Sequence, residues 1–168
     1  MIDNITRLLR QPEYIHVLIN PLPIYGLAIA WIGLLIALFM RNRRAQVTTL
    51  ILVLICAASA WPVSEFGDQA KDRVISMENE DGQSWIEEHE HRADQVIIFF
   101  YILAGLSAVA IAAPMKWPKS ATPLALAVAL LGVAVLGMGG YIAYAGGKIR
   151  HHEFRNEPPP KHAQDRQS

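Results

Sequence analysis

Residues 84–113 read SWIEEHEHRADQVIIFFYILAGLSAVAIAA, a stretch that begins wet and ends dry. Ser84-Trp85-Ile86-Glu87 has the spacing of a capping box, which predicts a helix starting at Ser84. Glu87-Glu88-His89-Glu90-His91 fills its first turns. From Gln95 to Ala113 no charged residue occurs. The same helix can therefore run on through a bilayer, which takes about 20 mostly apolar residues.

Working outward, three further blocks approach that length: Pro23–Met40, Ala45–Val63 and Pro123–Gly147. The chain of 168 residues is 52% hydrophobic, and the apolar residues are gathered into these blocks, where a soluble domain would disperse them. Irregular backbone cannot face lipid, so each block is expected to be helical. The predicted fold is all-α: an integral membrane protein with four transmembrane helices in a tight bundle. The spans are expected at about 21–40, 45–63, 94–113 and 122–147. Residues 1–20 form an N-terminal interfacial segment, with Ile5, Leu8 and Leu9 at helical spacing. Met1–Asn20 lacks the pattern of a cleavable signal, so the first span is expected to stay in place. Residues 64–93 form an acidic loop in which Phe66, Ala70, Val74 and Met77 suit an amphipathic surface helix. Glu78-Asn79-Glu80-Asp81-Gly82 reads as a turn. Residues 151–168 read as a flexible, proline-rich polar tail.

With four spans, both termini and the long loop share one side, here the terminus side. The short loops Arg41–Arg44 and Pro114–Ser120 share the far side. The far side carries Arg41, Arg43, Arg44, Lys116 and Lys119 and no acid, so all 15 carboxylates fall on the terminus side. The density of Arg-Asn-Arg-Arg after the first span predicts a cytoplasmic far side and an extracytoplasmic terminus side. The only wholly basic loops are very short, which disfavours nucleic-acid binding. The spans lack ionisable residues, which argues against a proton-coupled small-molecule transporter.

Small residues recur every three or four positions in three spans: Gly26, Ala30, Gly33 and Ala37; Ala104, Ala108 and Ala112; Gly139, Ala143 and Gly147. Such stripes let helix backbones approach closely in lipid. The lone Cys56 lies mid-span and cannot form an intrachain disulfide.

All six histidines fall on the terminus side. His16 precedes span one, His89 and His91 precede span three, and His151 and His152 follow span four. Three helices thus bring imidazole to one membrane level, as a haem or transition-metal site requires. A projection at about 100° per residue places His89 on the face of Trp85, Ile86, Ala93, Val96 and Phe100, and His91 nearly opposite. The candidate ligands are His16, His89, His151 and His152. The alternative is that these histidines only bond to backbone, lipid head groups or carboxylates at the interface. Glu88-x-x-His91 has di-iron spacing, but the sequence offers no second Glu-x-x-His. Lys148, Arg150, His151, His152 and Arg155 could hold an anion, but pairing with the acidic loop is the favoured expectation.

His16 and Pro23-Ile24, a histidine entering span three, and Gly146-Gly147-Lys148-Ile149-Arg150-His151 together resemble an uncharacterised family of four-span bacterial membrane proteins, domain of unknown function 2231. The family's second N-terminal histidine falls at Pro21, where this chain departs. The resemblance covers about His16 to His151. It implies a four-helix inner-membrane protein with a histidine-bearing outer face and no established activity.

No catalytic constellation emerges. The leading expectation is a non-enzymatic accessory or scaffold subunit, in contact with the lipid bilayer and with other membrane subunits or itself. A haem- or metal-binding redox protein is the alternative, and a small-molecule transporter the second alternative.

Overall fold

The structure, a computed structural model, describes residues 8–158, and among these there is no strand. The segment around Ile5 and the tail beyond Pro158, His162 included, lie outside the described residues. The helices are α1 (Pro12–Ile19), α2 (Leu27–Phe39), α3 (Arg43–Ala58), α4 (Ala60–Ile75), α5 (Glu80–Lys116) and α6 (Ala121–Arg150). A π turn, Leu22–Gly26, joins α1 to α2, and 3-10 turns occupy Pro118–Ser120 and His152–Phe154.

Four continuous or nearly continuous rods result, each long and apolar enough to cross a membrane: Pro12–Phe39, Arg43–Ile75, Glu80–Lys116 and Pro118–Arg150. Prolines set the joints. Pro62 has no N–H to donate to the Ala58 carbonyl, and the break between α3 and α4 falls at Ser59. Ser59 Oγ donates instead to the Cys56 carbonyl at 2.7 Å. Pro23 likewise cannot serve the Ile19 carbonyl, and the chain widens into a π turn in which Gly26 N donates to Pro21 O at 3.1 Å.

The rods exceed the expected spans on the terminus side. The predicted surface helix of 64–93 is not separate. It is α4, the continuation of the second rod, and it packs on α1. The third rod begins at Glu80 and not at Ser84. Asn79 is its N-cap, its side chain accepting from Gly82 N at 2.9 Å, with Glu80 and Asp81 in the first turn. Acids there oppose the positive end of the helix dipole, which is why the acidic run starts a helix. The turn is confined to residues 76–79.

The core is apolar, with Leu27, Leu34, Leu50, Val53, Phe100, Leu103, Val128 and Val135 almost wholly buried. The outside is apolar too: Phe39 is 90% and Met115 87% exposed. A bundle that is hydrophobic all round suits a lipid environment. Of the small-residue stripes, the first is an internal seam. A Cβ on Gly26 would stand 3.0 Å from Cys56 Sγ, and one on Gly33 3.1 Å from Thr49 Cγ2. The α5 stripe does not form a seam within the molecule, since Ala104 is buried but Ala108 and Ala112 are exposed. The α6 stripe is mixed: Gly139 is buried against Ile24 and Phe100, while Ala143 is exposed.

Candidate functional site

The polar ends of α5 and α6 meet on the terminus side. On α5, Trp85, Glu88 and Arg92 are buried. Arg92 Nε donates to Glu88 Oε1 at 2.6 Å, and Arg92 Nη1 to the Tyr141 carbonyl at 2.9 Å. Its guanidinium lies 4.1 Å from the centre of the Tyr141 ring. On α6, Lys148 is only 2% exposed. Its Nζ sits 4.2 Å from the Trp85 ring centre and 4.4 Å from that of Tyr144. Two desolvated cations thus rest on aromatic faces, contacts of about 2 kcal/mol each. The Trp85 Nε1 hydrogen is buried without a hydrogen-bond partner among the described residues.

The end of the chain closes this cluster. Glu157 Oε1 accepts from Lys148 Nζ at 2.5 Å and from Tyr144 Oη at 2.8 Å. These bonds, and the Lys148 charge, hold the Glu157 carboxyl below the usual carboxylate range. Arg155 caps α6, donating to the Lys148 and Ile149 carbonyls at 2.7 Å each, and reaches Asn79 Oδ1 at 3.0 Å. Glu78 lies 3.8 Å from Arg155 and 3.9 Å from Arg150. The expected pairing with the acidic loop therefore holds for Arg150 and Arg155. Lys148 takes its partner from the tail.

The histidines divide into two sets. His16, on α1, has Nδ1 2.8 Å from the Val63 carbonyl and packs against Gly67 of α4. His89, on α5, has Nδ1 3.1 Å from the Ile142 carbonyl and packs against Gly146 of α6. A carbonyl can only accept, so each Nδ1 carries a proton. Neither Nε2 has a hydrogen-bond partner among the described residues. The close glycines are what the rings need: a Cβ on Gly67 would stand 3.0 Å from the His16 ring, and one on Gly146 3.1 Å from that of His89.

His151 and His152 do not join them. Both are exposed. His151 Nδ1 lies 3.0 Å from Glu153 Oε1, and its ring stacks on Phe154 at 4.9 Å. The Glu153 carboxyl is held below the usual range, first by its own backbone N–H and then by His151. His91 contacts Gln95, its Nε2 2.9 Å from Gln95 Nε2. Glu88, the carboxylate of the di-iron spacing, is bonded to Arg92. Among the described residues no group of three or more His, Cys, Asp or Glu is placed to hold a metal ion.

The sequence singles out His16 and His89, which the structure holds alike, but not the cation–aromatic cluster. A signal was present. Trp85, Glu88 and Arg92 repeat the spacing of Tyr141, Tyr144 and Lys148 at the wet ends of two apolar helices. No protein-family model, curated protein or solved structure matches the chain.

Proposed function

We propose that the protein is a multi-pass membrane protein whose His16 and His89 would hold a haem near its terminus-side face, for electron transfer. The observation that carries this reading is the matched pair of imidazoles. Each donates Nδ1–H to a backbone carbonyl of a neighbouring helix, and neither Nε2 has a hydrogen-bond partner among the described residues. That second bond is the one that orients ligating histidines and raises their basicity. A bare metal ion fits less well, because no third protein ligand joins the pair among the described residues. A haem would ask the protein for no more than two ligands. Packing gives further support: α1 packs on α4 and α5 on α6, and His16 and His89 project from different pairs. When bound, the haem would supply one-electron redox chemistry. The protein's own residues would fix ring orientation and exclude water.

The test is visible absorption and metal analysis of detergent-purified protein from a host supplied with haem precursors. One haem per chain is expected for wild type. Stoichiometric binding should be lost in His16→Ala and in His89→Ala, and kept in His151→Ala. Colourless, metal-free wild type that also fails to take up added haem overturns the reading.

An accessory or scaffold role rests on a different observation. Gly105, Gly137 and Gly140 face outward with no atom of the described residues within 4 Å of a built Cβ, so a partner helix could approach there. That reading expects the colourless outcome together with a partner that co-purifies at fixed stoichiometry.

A further inference from the structure

The far side of the bundle carries a half-used guanidinium. Pro114, inside α5, has no N–H for the Ala110 carbonyl. Arg43, the first residue of α3, supplies the donor: its Nη2 bonds Ala110 O at 3.1 Å. This bond anchors the side chain across two helices. Its other arm, Nη1, is buried and has no hydrogen-bond partner among the described residues. A buried, unmet donor on a charged group is costly, and costs least when an anion completes it.

No carboxylate can do so from the far-side loops, since Arg41–Arg44 and Pro114–Ser120 contain none. Arg43 also lines an outward-open groove of about 280 Å³. Val47, Ile111, Pro114 and Met115 line it with Arg43. One cationic donor at the rim of an apolar groove, at the end of four membrane-length helices, describes a ligand with a phosphate head and a hydrocarbon body.

We propose that Arg43 and this groove form a specific seat for an anionic phospholipid. Seating the lipid turns the Arg43 guanidinium so that Nη1 reaches the groove and donates to a headgroup phosphate oxygen, and the first part of an acyl chain lies along Val47, Ile111 and Met115. A free phosphate would meet the donor but leave the apolar lining unused, so the lining assigns the phosphate to a lipid.

The test is calorimetric titration of the purified full chain in neutral detergent with three probes: dioctanoyl phosphatidylglycerol, dioctanoyl phosphatidylcholine and inorganic phosphate. Wild type should bind the glycerol lipid at least about tenfold more tightly than either of the others. Arg43→Gln should weaken that binding about tenfold, as expected for losing a hydrogen bond to a charged group. Arg44→Gln removes the same charge from an exposed neighbour and should change it less than about twofold. Val47→Trp fills the groove without touching charge and should also weaken binding, which keeps the test decisive if Arg43→Gln fails to fold. Equal losses in Arg43→Gln and Arg44→Gln would show only general attraction to a basic surface and overturn the proposal. Inorganic phosphate binding as tightly as the lipid, or Val47→Trp binding like wild type, overturns it as well.

Discussion

Arg92 is 8% exposed, one turn above the apolar part of α5, and it is held there by three kinds of contact. It bonds Glu88 and a carbonyl of α6, and it lies on the Tyr141 ring. A buried pair of this sort is often no more stable than apolar residues of the same size, but half of one is strongly unfavourable. Glu88→Leu is therefore expected to destabilise the bundle by ~3–5 kcal/mol, and Arg92→Leu by a similar amount. The double substitution should cost much less than either single one. Thermal unfolding in detergent, read as a double-mutant cycle, checks this; additive losses would mean that the two residues act independently. The hydropathy pattern could not show the pair. Charged residues in the first turns of a helix read as solvated, whereas the neighbouring helix buries Glu88 and Arg92.

At the scale of elements, imino acids and glycines decide where the rods bend and touch. Trp31 Nε1 donates to the Ala129 carbonyl at 2.7 Å, and the indole lies over Gly132. A Cβ on Gly132 would stand 2.8 Å from Trp31 Cδ1, closer than real contacts allow. The indole is tied by its own hydrogen bond and cannot swing aside. Gly132→Ala should therefore destabilise by ~1–3 kcal/mol despite alanine's better helix propensity. Gly137→Ala, in open space on the same helix, should be neutral or gain up to ~1 kcal/mol. Unfolding midpoints of the two variants separate the cases; equal midpoints would mean that the α2–α6 seam yields easily. Proline positions were readable in the sequence, and so was each rod's existence. Which glycines face a neighbour was not, because α6 carries small residues on several of its faces.

At the scale of the molecule, the chain ties its own ends together on one side. Glu13 of α1 pairs with Arg73 of α4, Lys71 of α4 with Glu90 of α5, and Arg155 beyond α6 with Asn79 before α5. Glu157 completes the set on Lys148. Its carboxyl is held below the usual range, so the docked tail prefers the ionised form. The linkage runs one way: docking is fully supported above the ordinary carboxylate range and is lost as pH falls through the lowered value. A spin label at Asn156→Cys should be immobile at neutral pH and become mobile under acid. Glu157→Gln should be mobile at both. A label that stays immobile in Glu157→Gln would show that Arg155 alone holds the tail.

The sequence by itself determined the number of rods, their apolar character, the gathering of His16, His89, His91, His151 and His152 toward one end of the bundle, and His89 as the inward-facing imidazole. These follow from block length and helical period, which are properties of a single segment. Only the tertiary structure decided that His16 and His89 are held alike by carbonyls of other helices while His151 turns to Glu153. It alone set Lys148 against Trp85, and Arg43 against the carbonyl that Pro114 cannot serve. Each of these depends on which face of one helix meets which face of another. Across stretches that are apolar on every side, local pattern carries no such information.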